Sequence, residues 1–204
     1  MHGTRLRNDG GFDFVSVKSP DGTKSVSIKI VEDKGELYTT VIVRSGSQRF
    51  RTRLDGFRSE ILWSPDSRAF AVNQTEGGGG FDQRTYVFYV EQGGLRKVDV
   101  SNPVDKAFGS PVRCDAPLLP PNTAILEWLD KTRVLVVAEI VNVSVCACSG
   151  SFETYEVGLP AGKVLKRYSQ AETKSRFATS LRCEFDGADD ACAMKWQVRR
   201  HDIR

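Results

Sequence analysis

Histidine is nearly missing from this 204-residue chain, and the two present, His2 and His201, stand at its ends. A Ser-His-Asp constellation therefore has no base. Zinc takes three or four thiolate or imidazole ligands, and a site at Cys146 and Cys148 has only these two end-placed imidazoles to complete it. The Gly-x-Ser-x-Gly elbow, the His-Glu-x-x-His helix and the dinucleotide glycine fingerprint are absent as well. No apolar run approaches the roughly 20 residues of a membrane-spanning helix. Met1 to Gly11 holds no apolar stretch of the signal-peptide kind, so the sequence reads as a mature form without one. Charge of one sign is also scarce. The 29 basic and 26 acidic side chains leave +3, too little for a long-range field that recruits nucleic acid.

What the chain does have is a turn that recurs between alternating runs. It stands at Ser19-Pro20-Asp21-Gly22, again at Trp63-Ser64-Pro65-Asp66-Ser67, and in degenerate form at Glu127-Trp128-Leu129-Asp130-Lys131. Proline pre-sets φ at the second position of a type I turn, aspartate suits the third, and Gly22 can take the positive φ that returns the chain. The flanking runs have period two. Val26, Ile28 and Ile30 oppose Ser25, Ser27 and Lys29; Leu37, Val41 and Val43 oppose Tyr38, Thr40 and Ile42; Phe50, Thr52 and Leu54 oppose Arg49, Arg51 and Arg53. Such runs are half-buried antiparallel strands.

The pattern predicts an all-β protein of four-stranded meanders in one domain, with units at about 12–57, 58–120 and 121–170 and a half unit at 171–204. Strands are expected at 12–18, 24–32, 36–44 and 48–54, then 59–64, 68–74, 84–91 and 95–100, then 123–128, 133–143, 151–158 and 163–168. The half unit reads as a hairpin, with a run from Phe177 to Phe185 turning through Asp186–Asp190 into an alternating run from Cys192. Helix is limited to turns near Asp105–Phe108 and Glu172–Phe177.

Trp63-Ser64-Pro65-Asp66-Ser67-Arg68, followed by Phe70-Ala71-Val72 and the strand ending Tyr86-Val87-Phe88-Tyr89-Val90, resembles a blade of the TolB and prolyl-oligopeptidase type of β-propeller. The resemblance covers about residues 12–170 and implies a propeller-like stack of three to four meanders. Propellers usually close with four to eight blades. A few-bladed or incomplete propeller is therefore expected, with open sheet edges that a partner or an oligomer would cover. The peptidases of that family carry catalysis in a separate hydrolase domain, which this chain lacks, so no enzyme activity is expected from it.

Five cysteines bear on compartment. Cys183 and Cys192 bracket the last hairpin, where a cross-strand disulfide is natural. Cys114 can pair with Cys146 or with Cys148, whose own mutual bond along one strand would be strained. Two disulfides place the protein in the periplasm or among secreted proteins, and five reduced cysteines would place it in the cytoplasm. Asp186–Asp190 lacks the calcium-loop pattern, and Gly77–Gly80 lacks the lysine of a phosphate loop. No metal or cofactor is expected.

Arg44, Arg49, Arg51, Arg53 and Arg58 form the densest basic cluster. Arg49, Arg51 and Arg53 project from one strand face, either protecting an edge by charge or docking an acidic protein surface through their planar forks. Glu76, Phe81 and Asp82 flank the glycine loop as a second contact candidate. The expectation is a non-enzymatic protein-binding module, an accessory or immunity-type inhibitor acting outside the cytosol. The alternative is a glycan-active hydrolase or lyase with an acid pair in a central cleft.

Overall fold

The computed structural model describes residues 5–8, 15–56, 58–75, 83–108, 120–140 and 151–181, with the backbone alone at 5–8, 15 and 58. Their architecture is mostly β, in three antiparallel sheets of meander connectivity. After β1 (Arg5–Asn8), sheet 1 is β2 (Val15–Lys18), β3 (Lys24–Asp33), β4 (Glu36–Ser45) and β5 (Gln48–Asp55), hydrogen-bonded in that order. Sheet 2 is β6 (Arg58–Trp63), β7 (Ala69–Thr75), β8 (Gln83–Glu91) and β9 (Gly94–Asp99), with β1 added beside β6 as a fifth strand. Helix α1 (Ser101–Ala107) leads to sheet 3: β10 (Asn122–Asp130), β11 (Arg133–Glu139), β12 (Phe152–Gly158) and β13 (Lys163–Tyr168). Helix α2 (Gln170–Arg176) follows.

The period-two reading holds because each strand serves two faces. Ile61, Trp63, Phe70, Val72 and Phe88 of sheet 2 pack with Val26, Ile28, Val41, Val43 and Leu54 of sheet 1. The alternate residues Leu62, Ala69, Ala71 and Val87 pack with Ile125, Val134, Val136, Ala138, Tyr155 and Val157 of sheet 3, and α1 adds Val104. Sheet 2 is therefore buried on both faces. Among the described residues no strand pairing or apolar cluster joins sheet 1 to sheet 3.

The outer face of sheet 3 buries Ala124, Leu126, Leu135, Val137, Phe152 and Tyr168 beneath Phe177 and Leu181. Phe177 meets Tyr168 edge-on, with centroids 5.1 Å apart. This differs from the strand expected from Phe177 onward. In its described part the segment is a turn after α2, in which the Phe177 carbonyl accepts from the amides of Ser180 and Leu181. The reason is the capping box at Ser169 and Glu172, which starts a helix, and the apolar face it can cover. Leu37 also departs from its expected inward place. It is 39% exposed at the hairpin tip, beyond the packed part of β4.

The recurring turn has the expected form. The Gly22 amide donates to the Ser19 carbonyl and that of Ser67 to Ser64, at 2.8 and 3.0 Å. Ser67 holds the positive φ of 60° that Gly22 takes at 71° in the first turn. Serine is tolerated there because its hydroxyl accepts the Asp21 amide at 3.1 Å, tying one sheet's turn to the next. Two further ties repeat from sheet to sheet. The Trp63 indole donates to the Val17 carbonyl at 3.4 Å, and the Trp128 indole donates to the Leu62 carbonyl at 3.2 Å. Val17 and Leu62 occupy the same place before their turns. Lys18 stands at the tryptophan place of the first turn and is exposed.

The turn carboxylates of Asp21 and Asp130 are held in their charged form by the hydrogen bonds they accept. Burial pushes Asp130 up, but the Thr132 hydroxyl and amide and the Arg133 guanidinium outweigh it and hold it at about 2, against 3.8. The Ser19 hydroxyl and the Thr23 amide hold Asp21 down in the same sense. A depressed carboxylate stabilises the fold above its unfolded pKa, and that stabilisation is lost as pH falls through the folded one. Asp130→Asn is therefore expected to shrink the fall in Tm between pH 5 and pH 2.5. Thermal scans across that range check it.

Candidate functional site

The outer face of sheet 1 is where cations gather. Strand register sets them in rows: Lys18 faces Ser25, which faces Arg44, which faces Arg49. In the next row Ser16, Ser27, Ile42 and Arg51 stand side by side, and beyond it Lys29, Thr40 and Arg53. Ser27, Thr40 and Ile42 at the centre are buried. Lys18, Lys29, Arg44, Arg49, Arg51 and Arg53 are exposed around them. At a strand spacing of about 4.8 Å, a row across four strands spans roughly 15 Å. The surface is positive.

Among the described residues, the cations of this face meet counter-charge at one rim, through Arg53. Arg53 lies 3.7 Å from both Glu36 and Asp55, and its guanidinium stands 3.9 Å over the Tyr38 ring. The Arg51 guanidinium donates to the Thr40 hydroxyl at 3.4 Å. Lys18, Lys29, Arg44, Arg49 and Arg51 pair with no carboxylate among the described residues. Arg44 and Arg49 face each other directly, an arrangement that costs stability.

The structure thus brings Arg49, Arg51 and Arg53 together on β5, an edge strand, and adds Lys18, Lys29 and Arg44. Sequence reasoning missed the two lysines because only register places them beside β5. Arg58 does not belong to the group, since it lies on β6 of sheet 2. Glu76, Phe81 and Asp82 lie outside the described residues, as do Cys114, Cys146, Cys148, Cys183 and Cys192.

A second feature is an open groove of about 610 Å³ lined by Pro65, Asp66, Glu127, Trp128, Leu129, Asp130 and Lys131. Its aspartates serve the turns. Asp66 accepts from the Ser64 hydroxyl and the Arg68 amide, and Asp130 accepts from Thr132 and Arg133. Among the described residues no group of three or more metal-ligating side chains forms a cation site, and no helix is long and apolar enough to cross a membrane.

Comparison with known proteins gives little beyond this. No family model matches the chain, and no curated protein does. Among solved structures it is similar to an acylaminoacyl peptidase from Pyrococcus horikoshii, with a TM-score of 0.38 and 12% identity over 71% of this chain. The match spans 22% of the peptidase's length.

Proposed function

We propose that this chain is a non-enzymatic protein-binding module, a short propeller-like stack whose cationic outer face on sheet 1 docks an acidic surface of another protein. The observation that carries the reading is the set of five cations without a carboxylate partner among the described residues. Edge protection accounts for charge on the two edge strands, β2 and β5, yet Lys29 and Arg44 sit on the central strands β3 and β4. A face kept only for solubility would mix both signs. Arginines exposed on a sheet face offer planar forks to carboxylates. The cysteine content supports a place outside the cytosol, where an accessory or an immunity-type inhibitor would act. The glycan-active alternative draws little support from the groove, because two of its three carboxylates, Asp66 and Asp130, are engaged in closing turns and Glu127 is left without an acid partner.

The test is the variant Arg44→Glu/Arg49→Glu/Arg51→Glu, which leaves the rim pairs of Arg53 untouched. The wild type is expected to be retained on immobilised poly-L-glutamate up to a higher salt concentration than the variant, with apparent affinity at least 10-fold greater at low salt. The two Tm values should agree within a few degrees. Equal retention would refute the docking face. Tighter binding of a 20-nucleotide single-stranded DNA than of poly-L-glutamate at physiological salt would refute the acidic-protein assignment.

A further inference from the structure

One sheet of the three carries a strand that the meander does not supply. β1 lies antiparallel on the free edge of β6, with Arg5 opposite Leu62, Leu6 opposite Ile61, Arg7 opposite Glu60 and Asn8 opposite Ser59. β2 and β10, the first strands of the other two sheets, take no such addition among the described residues. The edge of β6 is therefore a place where an extended segment pairs with the sheet by backbone hydrogen bonds, the mode of strand addition.

The occupant is short and tethered. It has four residues, and each backbone bond has a net worth of only about 0.5–1.5 kcal/mol. The short connection to β2 adds a millimolar effective concentration to that hold. An edge held this way is open to exchange. Its chemistry is set by β6. Ile61 faces sheet 1 and is fully buried. Glu60 is 5% exposed on the opposite face, where the Asn73 amide donates to its Oε2 at 2.9 Å. An apolar residue opposite Ile61 and a cation opposite Glu60 match these neighbours. The pattern Arg-Leu-Arg of β1 supplies both.

We infer that the β6 edge is an acceptor site for an extended segment of a partner protein. The segment it takes is apolar opposite Ile61 and cationic opposite Glu60, and β1 occupies the site in cis until such a segment displaces it. This site is separate from the sheet 1 face and stands whether or not that face docks anything.

The probe is a fluorescein-labelled peptide with the sequence of residues 4–9, Thr-Arg-Leu-Arg-Asn-Asp, read by anisotropy against the full chain. The opened form is Leu6→Pro/Arg7→Pro, since one of two adjacent amides faces β6 in either phase and proline removes both. It should bind the peptide at least 10-fold more tightly than the wild type. A peptide with Glu in place of its second arginine, or with N-methylated backbone amides, should lose that gain. Should the double variant fail to fold, Arg7→Glu in the full chain opens the edge by charge alone and should show the same gain. Equal binding by the wild type and a folded opened variant overturns the proposal. So does indifference to backbone methylation.

Discussion

Replacing Trp63 by alanine is expected to destabilise the chain by about 3–5 kcal/mol, the range for emptying a buried aromatic site. Trp63 is fully buried and stands 5.4 Å from Phe70, which itself stacks on Phe88 at 5.3 Å. Its indole also reaches across to the Val17 carbonyl of sheet 1, so the substitution opens a cavity and removes a donor that ties sheet 2 to sheet 1. Against a total of about 5–15 kcal/mol for a domain, much of the stability would go. Trp63→Phe keeps most of the volume and loses the N–H, and should cost about 1–2 kcal/mol. Urea unfolding of both variants separates the two contributions. A loss below about 1 kcal/mol for the alanine variant would show that sheets 1 and 2 are not joined through this residue.

Asn73→Asp is expected to be nearly as damaging at neutral pH, and to recover in mild acid. The Asn73 amide is used at both ends. Its Nδ2 donates to Glu60 and to the Ile125 carbonyl, each at 2.9 Å. Its Oδ1 accepts from the Ile125 amide at 2.7 Å and from the Thr85 hydroxyl at 2.8 Å. One side chain thus clips sheet 2 to the backbone of sheet 3. Aspartate preserves the shape, removes both donors and sets a second buried carboxylate beside Glu60. Unsatisfied buried groups cost about 1–3 kcal/mol each, and a loss of roughly 3–5 kcal/mol at pH 7.5 follows. Burial and the neighbouring carboxyl both raise the folded pKa of the new group above its unfolded value of about 3.9. The penalty is then full above the folded pKa and shrinks as pH falls toward the unfolded one. The Tm deficit relative to wild type should be smaller at pH 5 than at pH 7.5. An unchanged deficit would mean that the substituted carboxyl is not buried against Glu60.

Trp63 is legible in the sequence and Asn73 is not, and the reasons differ. The strands were legible because alternation in β3 and β5 is a local property, and the turns because proline, aspartate and glycine impose local geometry. Asn73 sits in Ala-Phe-Ala-Val-Asn-Gln-Thr, where the polar end reads as a strand running out to solvent. It is buried because sheet 3 stacks over it, and stacking is not written in any one strand. Trp63 is legible by its place before Ser-Pro-Asp, which Trp128 echoes before Leu129-Asp130. Lys18, exposed, holds the tryptophan place in the first sheet's copy of the same frame. The arginine alternation on β5 was visible from residues 49 to 53, whereas the breadth of the cationic face emerges only when four strands are set in register.

The same register supplies the sharpest test of that face. Arg44 and Arg49 stand directly opposite each other, exposed and without carboxylate partners among the described residues. Fold stability alone would favour opposite charges there, by about 0.2–1 kcal/mol. The measurement is the urea midpoint of Arg49→Glu at low salt, compared with wild type. A rise in the midpoint, fading as salt is added, is the predicted result, because it means the cations are held on this face against the interest of the fold. A fall would mean that Arg49 serves the sheet itself, and the docking reading would be contradicted.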